Sequence, residues 1–240
     1  MSTPPSPHRP PGVGGPPPAS ATSPASPGKK RIGLVLGIAA GSLAVLAVLA
    51  WAGKHGLDAL SAAGGSYPAA EYRLTAPPTL LGGAYKLRGD SSGREGKGLE
   101  AEDRKDPTVR LTAAVVATYA GEPGSALVVS GFYGQIKNPG PTREQILDGG
   151  ATSPGTTLVV PPKEFRPAGF DVTVSCQVTR STAAGRTSTV PMCAWGDGNT
   201  ASFVALVTPE VSARDPRTVD LRKLAGTTAA VRAEMRAPLS

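Results

Sequence analysis

The feature that most constrains this chain is the run from Ile32 to Gly53, which holds no charged side chain and only Ser42 as a polar one. As a helix rising 1.5 Å per residue, such a run reaches about 33 Å, enough to cross a hydrocarbon core of roughly 30 Å. Lys29-Lys30-Arg31 stands directly before it, and only Lys54, soon followed by Asp58, stands behind. The excess of positive charge on cytoplasmic flanks then predicts a single-pass transmembrane helix over 32–53, with residues 54–240 outside the cell. Trp51 falls where an indole ring meets the outer head groups. A cleaved secretory signal is the competing reading, because Ala50-Trp51-Ala52 offers an A-x-A site. The apolar run is too long for a signal, however, and 31 residues precede it. No cysteine lies in or near the run, which excludes a lipoprotein.

Charge and composition fit that layout. Of the net charge of +7, four positive charges (Arg9, Lys29, Lys30, Arg31) sit on residues 1–31 with no acid to offset them. The remainder is close to balanced, so the basic character argues for a lipid bilayer as partner and against nucleic acid. Residues 1–31 contain one large aliphatic, Val13, and cannot build a core; they read as a disordered, proline-rich cytoplasmic tail. Its P-x-x-P spacings, Pro4/Pro7 and Pro7/Pro10, and the Ser-Pro steps at Ser6, Ser23 and Ser26 are ordinary in such a run. Within the apolar segment, Gly33, Gly37 and Gly41 line one helix face, and a homodimer packed through that face is one expectation.

Beyond a Gly- and Ala-rich stalk over 54–66, strand patterns recur through 67–240. They appear at Leu111–Tyr119, at Ala126–Tyr133 after the turn Gly121-Glu122-Pro123-Gly124, at Val172–Thr179 and at Thr200–Thr208. Tyr72–Leu74 and Leu158–Val160 are shorter candidates. In the third run the valines and Cys176 alternate with Thr173, Ser175, Gln177 and Thr179, which places the polar set outward and tolerant of alanine. Helical signals are confined to Pro141–Leu147 and to a C-terminal helix with Asp215 as cap and Pro216 in its first turn, along which Leu221, Leu224, Thr228, Val231 and Met235 recur at 3- and 4-residue steps. Segment 88–107, with eleven charged residues and four glycines, reads as a long mobile loop. The fold expected is therefore α+β: a transmembrane helix, then an outer domain with an antiparallel sheet and a C-terminal packing helix.

The two cysteines, Cys176 and Cys193, both fall in the outer part and are expected to pair as a structural staple. Both histidines, His8 and His55, lie outside 67–240, so no histidine triad or histidine metal site is available there. No S-x-x-K singles out a lysine among Lys86, Lys97, Lys105, Lys137, Lys163 and Lys223. Asp197-Gly198-Asn199 lacks the closing glutamate of a calcium loop and reads as a hairpin turn. Arg88-Gly89-Asp90 spells the integrin-binding tripeptide, a match short enough to arise by chance. No catalytic residue, metal or cofactor is expected.

The Pro-rich tail, the Gly/Ala-rich span, Tyr72-Arg73-Leu74-Thr75-Ala76-Pro77 and the late Cys193-Ala194-Trp195-Gly196-Asp197 together resemble a class of uncharacterised actinobacterial single-pass membrane proteins. That resemblance implies no activity and no site residues. The function expected is a membrane-anchored binding or interaction module of the cell envelope, with an envelope protein or cell-wall partner. One rival is a carboxylate-dependent envelope hydrolase, which would need two or more acids among Glu122, Glu144, Asp148, Glu164, Asp171 and Asp197 gathered in a hollow. The other is a single-pass sensor or scaffold signalling through dimerisation.

Overall fold

The computed structural model describes residues 66–103, 106–183 and 185–239. Tail 1–31, the apolar segment 32–53 with Gly33, Gly37 and Gly41, and stalk residues 54–65 lie outside them. Chain order is β1 (Tyr72–Leu74), β2 (Thr79–Leu80), β3 (Tyr85–Asp90), α1 (Ser92–Asp103), β4 (Val109–Ala120), β5 (Ala126–Ile136) and α2 (Pro139–Thr152). There follow β6 (Thr156–Phe165), β7 (Val174–Ala183), β8 (Arg186–Gly196), β9 (Thr200–Val207) and α3 (Pro209–Ala213). A 3-10 turn (Pro216–Thr218), α4 (Leu221–Met235) and β10 (Arg236–Pro238) complete the chain.

Eight strands form one sheet in the order β2-β3-β4-β5-β9-β8-β7-β6, and every pairing is antiparallel. The connections are mostly tight hairpins. Between β4 and β5 the chain turns at Glu122–Gly124, with Ser125 N–H donating to Glu122 O and Gly124 at φ 83°, which glycine adopts without strain. Gly121 opens that turn because a Cβ there would lie 2.8 Å from the Tyr85 ring.

Two cores cover the two faces. On one face Tyr119, Leu127, Val129, Val174, Cys176, Val178, Trp195 and Val204 pack under α4. On the other, Val116, Val128, Phe132, Met192, Ala194 and Phe203 pack with Ile146 and Leu147 of α2. A separate two-stranded sheet pairs β1 with β10, Tyr72 opposite Pro238 and Leu74 opposite Arg236.

The α+β expectation is thereby corrected. The body is mostly antiparallel sheet with few helices, and among the described residues no helix is long and apolar enough to cross a membrane. The sheet dominates because its inner strands run 8–12 residues and are buried on both faces over much of their length. Three local expectations change as well. Segment 88–107 contains the end of β3 and the whole of α1. Gly96 lets that helix settle on β4, where a Cβ would meet the Ala114 carbonyl oxygen at 3.2 Å. Asp215 caps the 3-10 turn, and Asp220 is the residue that caps α4, accepting from Lys223 N–H at 3.0 Å. Finally, Ser175, Gln177 and Thr179 point into the second core instead of into water, because α2 covers that face.

Candidate functional site

The polar face of β7 is buried and mostly hydrogen-bonded, with Gln177 Oε1 left without a partner among the described residues. Arg143 of α2 is 5% exposed, and its Nε donates to Ser175 Oγ at 2.7 Å. Its terminal nitrogen pairs with the Glu164 carboxylate on β6. Gln177 Nε2 donates to Leu147 O at 2.6 Å, and Thr179 Oγ1 donates to Val190 O at 3.2 Å. The Arg143 and Gln177 bonds fasten helix to sheet, the Thr179 bond ties β7 to β8, and of these side chains only the Glu164 carboxylate is largely open to solvent.

The densest polar cluster centres on Asp197, in the turn between β8 and β9. Asp197 Oδ1 accepts from the N–H groups of Asn199 and Thr200, each at 2.8 Å. Oδ2 accepts from Thr200 Oγ1 at 2.9 Å and from Arg232 Nε and a terminal nitrogen at 2.8 and 2.6 Å. Arg236 Nε lies 3.7 Å from the same oxygen, and its guanidinium stacks 3.2 Å over the Tyr72 ring. Burial pushes the Asp197 carboxyl up, but the Asn199 N–H, the Arg232 charge and the Thr200 N–H outweigh it. The acid is held below its ordinary 3.8. Asn199 extends the clamp: its Oδ1 accepts from Glu71 N–H at 3.2 Å and its Nδ2 donates to Ala69 O at 2.6 Å.

Toward the first described residue the chain stays fastened. Gln135 Nε2 donates to Pro68 O at 2.6 Å, and Tyr67 O–H donates to Pro107 O at 2.6 Å. Arg110 and Lys137 lie over the Tyr67 ring at 3.9 and 4.3 Å. The turn is thus a structural knot joining the entry segment, the β8–β9 hairpin and the end of α4.

Cys176 and Cys193 form a disulfide, fully buried, with Cα atoms 4.0 Å apart. They are directly opposed in the β7–β8 ladder. Thr182 N–H bonds across to Gly155 O, so the even-numbered residues of β7 turn their backbone groups toward β6. Cys176 and Cys193 therefore form a non-hydrogen-bonded pair, the type in which opposed side chains lie closest.

Of the acids singled out from the sequence, Glu164 and Asp197 are committed to arginines, and no group of three or more His, Cys, Asp or Glu able to hold a metal occurs among the described residues. Asp90 of the Arg-Gly-Asp triplet accepts from Ser92 N–H and Oγ at 2.9 and 2.5 Å and so starts α1. Sequence reading missed Arg143, Arg232, Arg236 and Tyr72. A lone arginine in an amphipathic helix gives no sign that its partner lies on a distant strand. Arg143 is 21 residues from its carboxylate and Arg232 is 35 from its own.

Fold and side chains together define a disulfide-stapled antiparallel domain whose buried charges serve the fold. Compared with known protein families, curated proteins and solved structures, the chain matches none.

Proposed function

We propose that this protein is a membrane-anchored binding or interaction module of the cell envelope, its N-terminus cytoplasmic and its disulfide-bearing domain outside. The observation that carries the reading is the core disulfide Cys176–Cys193, a bond that persists in oxidising compartments. In sequence it follows an uncharged run with Lys29-Lys30-Arg31 on its near side. Binding is favoured over envelope hydrolysis because Glu164 and Asp197, two of the acids a carboxylate mechanism would draw on, are each neutralised by an arginine. The test is topological. In the full chain expressed in intact cells, a cysteine placed at Ser20 stays unlabelled by an impermeant thiol reagent, while external protease removes the domain. Labelling at position 20 without permeabilisation sinks the reading. Copurification with the full chain then identifies the partner.

A further inference from the structure

The eight-stranded sheet ends at β6, and no strand lies beyond it among the described residues. Its first half, Thr156-Thr157-Leu158-Val159-Val160, is a run of strand-favouring side chains in which Leu158 is 40% exposed. A long, open edge of that kind is a template for pairing with another chain. The ladder to β7 shows which backbone groups are left open. Thr182 N–H bonds to Gly155 O, so β6 residues opposite even-numbered β7 positions bond inward, and those opposite odd ones turn outward. Thr156, opposite Ser181, faces out, but its N–H is taken by Ser153 O at 3.0 Å. Leu158, opposite Thr179, faces out as well. The next outward place lies between the pairs Val160–Val178 and Lys163–Cys176, where two β6 residues stand against Gln177 alone. Both are prolines, Pro161 and Pro162, exposed and without an N–H. Another extra residue, Val159, sits between the Leu158 and Val160 pairs, and such bulges twist an edge out of a straight ladder. An incoming strand therefore finds an N–H at Leu158, none at the centre, and the next only at Glu164, opposite Ser175. Proline ring atoms stand where its donors should be. The opposite edge is blunted by other means: β2 is two residues long, beside β3 with exposed Lys86 and Arg88.

We propose that Pro161-Pro162 keep the β6 edge closed to a second copy of this chain. Without them, two such edges would pair antiparallel across a two-fold axis, with Leu158 against Leu158. A second copy is the occupant this edge fits, because one run, Thr156–Val160, supplies both sides and each exposed Leu158 covers the other. The closure belongs to the sheet and is independent of membrane topology.

Sedimentation of the full-length protein in neutral detergent, wild type against P161T/P162T, tests it. The variant is expected to associate about tenfold or more tightly than the wild type, and association through any other surface appears equally in both. Adding L158K to the variant should return it to the wild-type level. Oxidative cross-linking locates the contact: L158C in the proline-free background should give a covalent dimer, while L158C alone should give little. P162T alone serves if the double variant loses its cooperative melting transition, and is expected to associate severalfold more tightly than the wild type. Unchanged association on loss of the prolines would overturn the proposal. So would cross-linking of L158C as strong with the prolines as without them, since the edge would then already be open. Association that L158K fails to reverse would mean nonspecific clumping and also overturn it.

Discussion

At Gly131 in the middle of β5, a Cβ would overlap the Ala201 carbonyl oxygen and the Ser202 Cβ of β9. Those are backbone-fixed atoms between two central strands, so the neighbours cannot yield. Gly131→Ala is therefore expected to cost about 3 kcal/mol or more, read by urea denaturation, through overpacking. Gly226 on α4 is the opposite case, because nothing lies within 4 Å of an added Cβ. Gly226→Ala should raise stability by about 1 kcal/mol, the helix-interior difference between the two residues; a loss would mean the helix is not formed there. Ser175 reverses what its sequence pattern suggests. It is 2% exposed, and Ser175→Ala strands the buried Arg143 Nε without its acceptor. A loss of about 1–3 kcal/mol is expected, where a surface serine would show nearly none. The β7 alternation correctly separates two faces, but whether the polar face meets water depends on a helix placed over it from elsewhere in the chain.

At the scale of elements, the β8–β9 turn is the joint on which the rest is fixed. Asp197 has a folded pKa below its unfolded value, so it contributes stability that is fully present above the unfolded value near 3.8. That contribution is lost as pH falls through the lower folded value. Asp197→Asn should cost about 3 kcal/mol at pH 7, because Arg232, 11% exposed, is left without its counter-charge. The gap to the wild type should then narrow as pH drops below 4, as chemical denaturation at pH 7 and pH 3 can measure. A constant gap across that range would mean the carboxylate charge is not what Arg232 needs.

Elements with a strong local period were legible in the sequence: the strands around Leu111–Tyr119, Ala126–Tyr133 and Thr200–Thr208, and helix spacing over Leu221–Met235. The helix over Ser92–Asp103 was not, because three glycines and a charged surface hide a helix held in place by contact with β4. The Asp197 knot was half legible: the turn shows in Asp-Gly-Asn, whereas Arg232 and Tyr72 meet it only through tertiary packing.

For the whole molecule the question is what unites the chain's entry and exit. The disulfide closes a separation of 17 residues within one hairpin, worth about 3 kcal/mol in the chain-entropy view. Its reduction is expected to lower the melting temperature and to expose two thiols only on unfolding. The β1–β10 ladder does something different, for it ties Tyr72–Leu74 to Arg236–Pro238 across nearly the whole described chain. Thr75 N–H donates to Met235 O at 2.9 Å and Leu239 N–H donates to Glu71 O at 2.8 Å, so bonds flank the ladder on both sides. Arg236 adds its stack on Tyr72 and its approach to Asp197. The segment that leads toward residues 32–53 is thus held by the chain's own last strand. Ending the full-length chain after Met235 removes Arg236–Pro238 and the Leu239 bond together, while the eight-stranded sheet keeps all its strands. The domain should stay folded, with its disulfide intact, while residues 66–75 become sensitive to limited proteolysis at rates many times those of the intact chain. If that segment stays as protected as before, Asn199, Gln135 and Pro107 hold it unaided and the β10 strand is dispensable to the attachment.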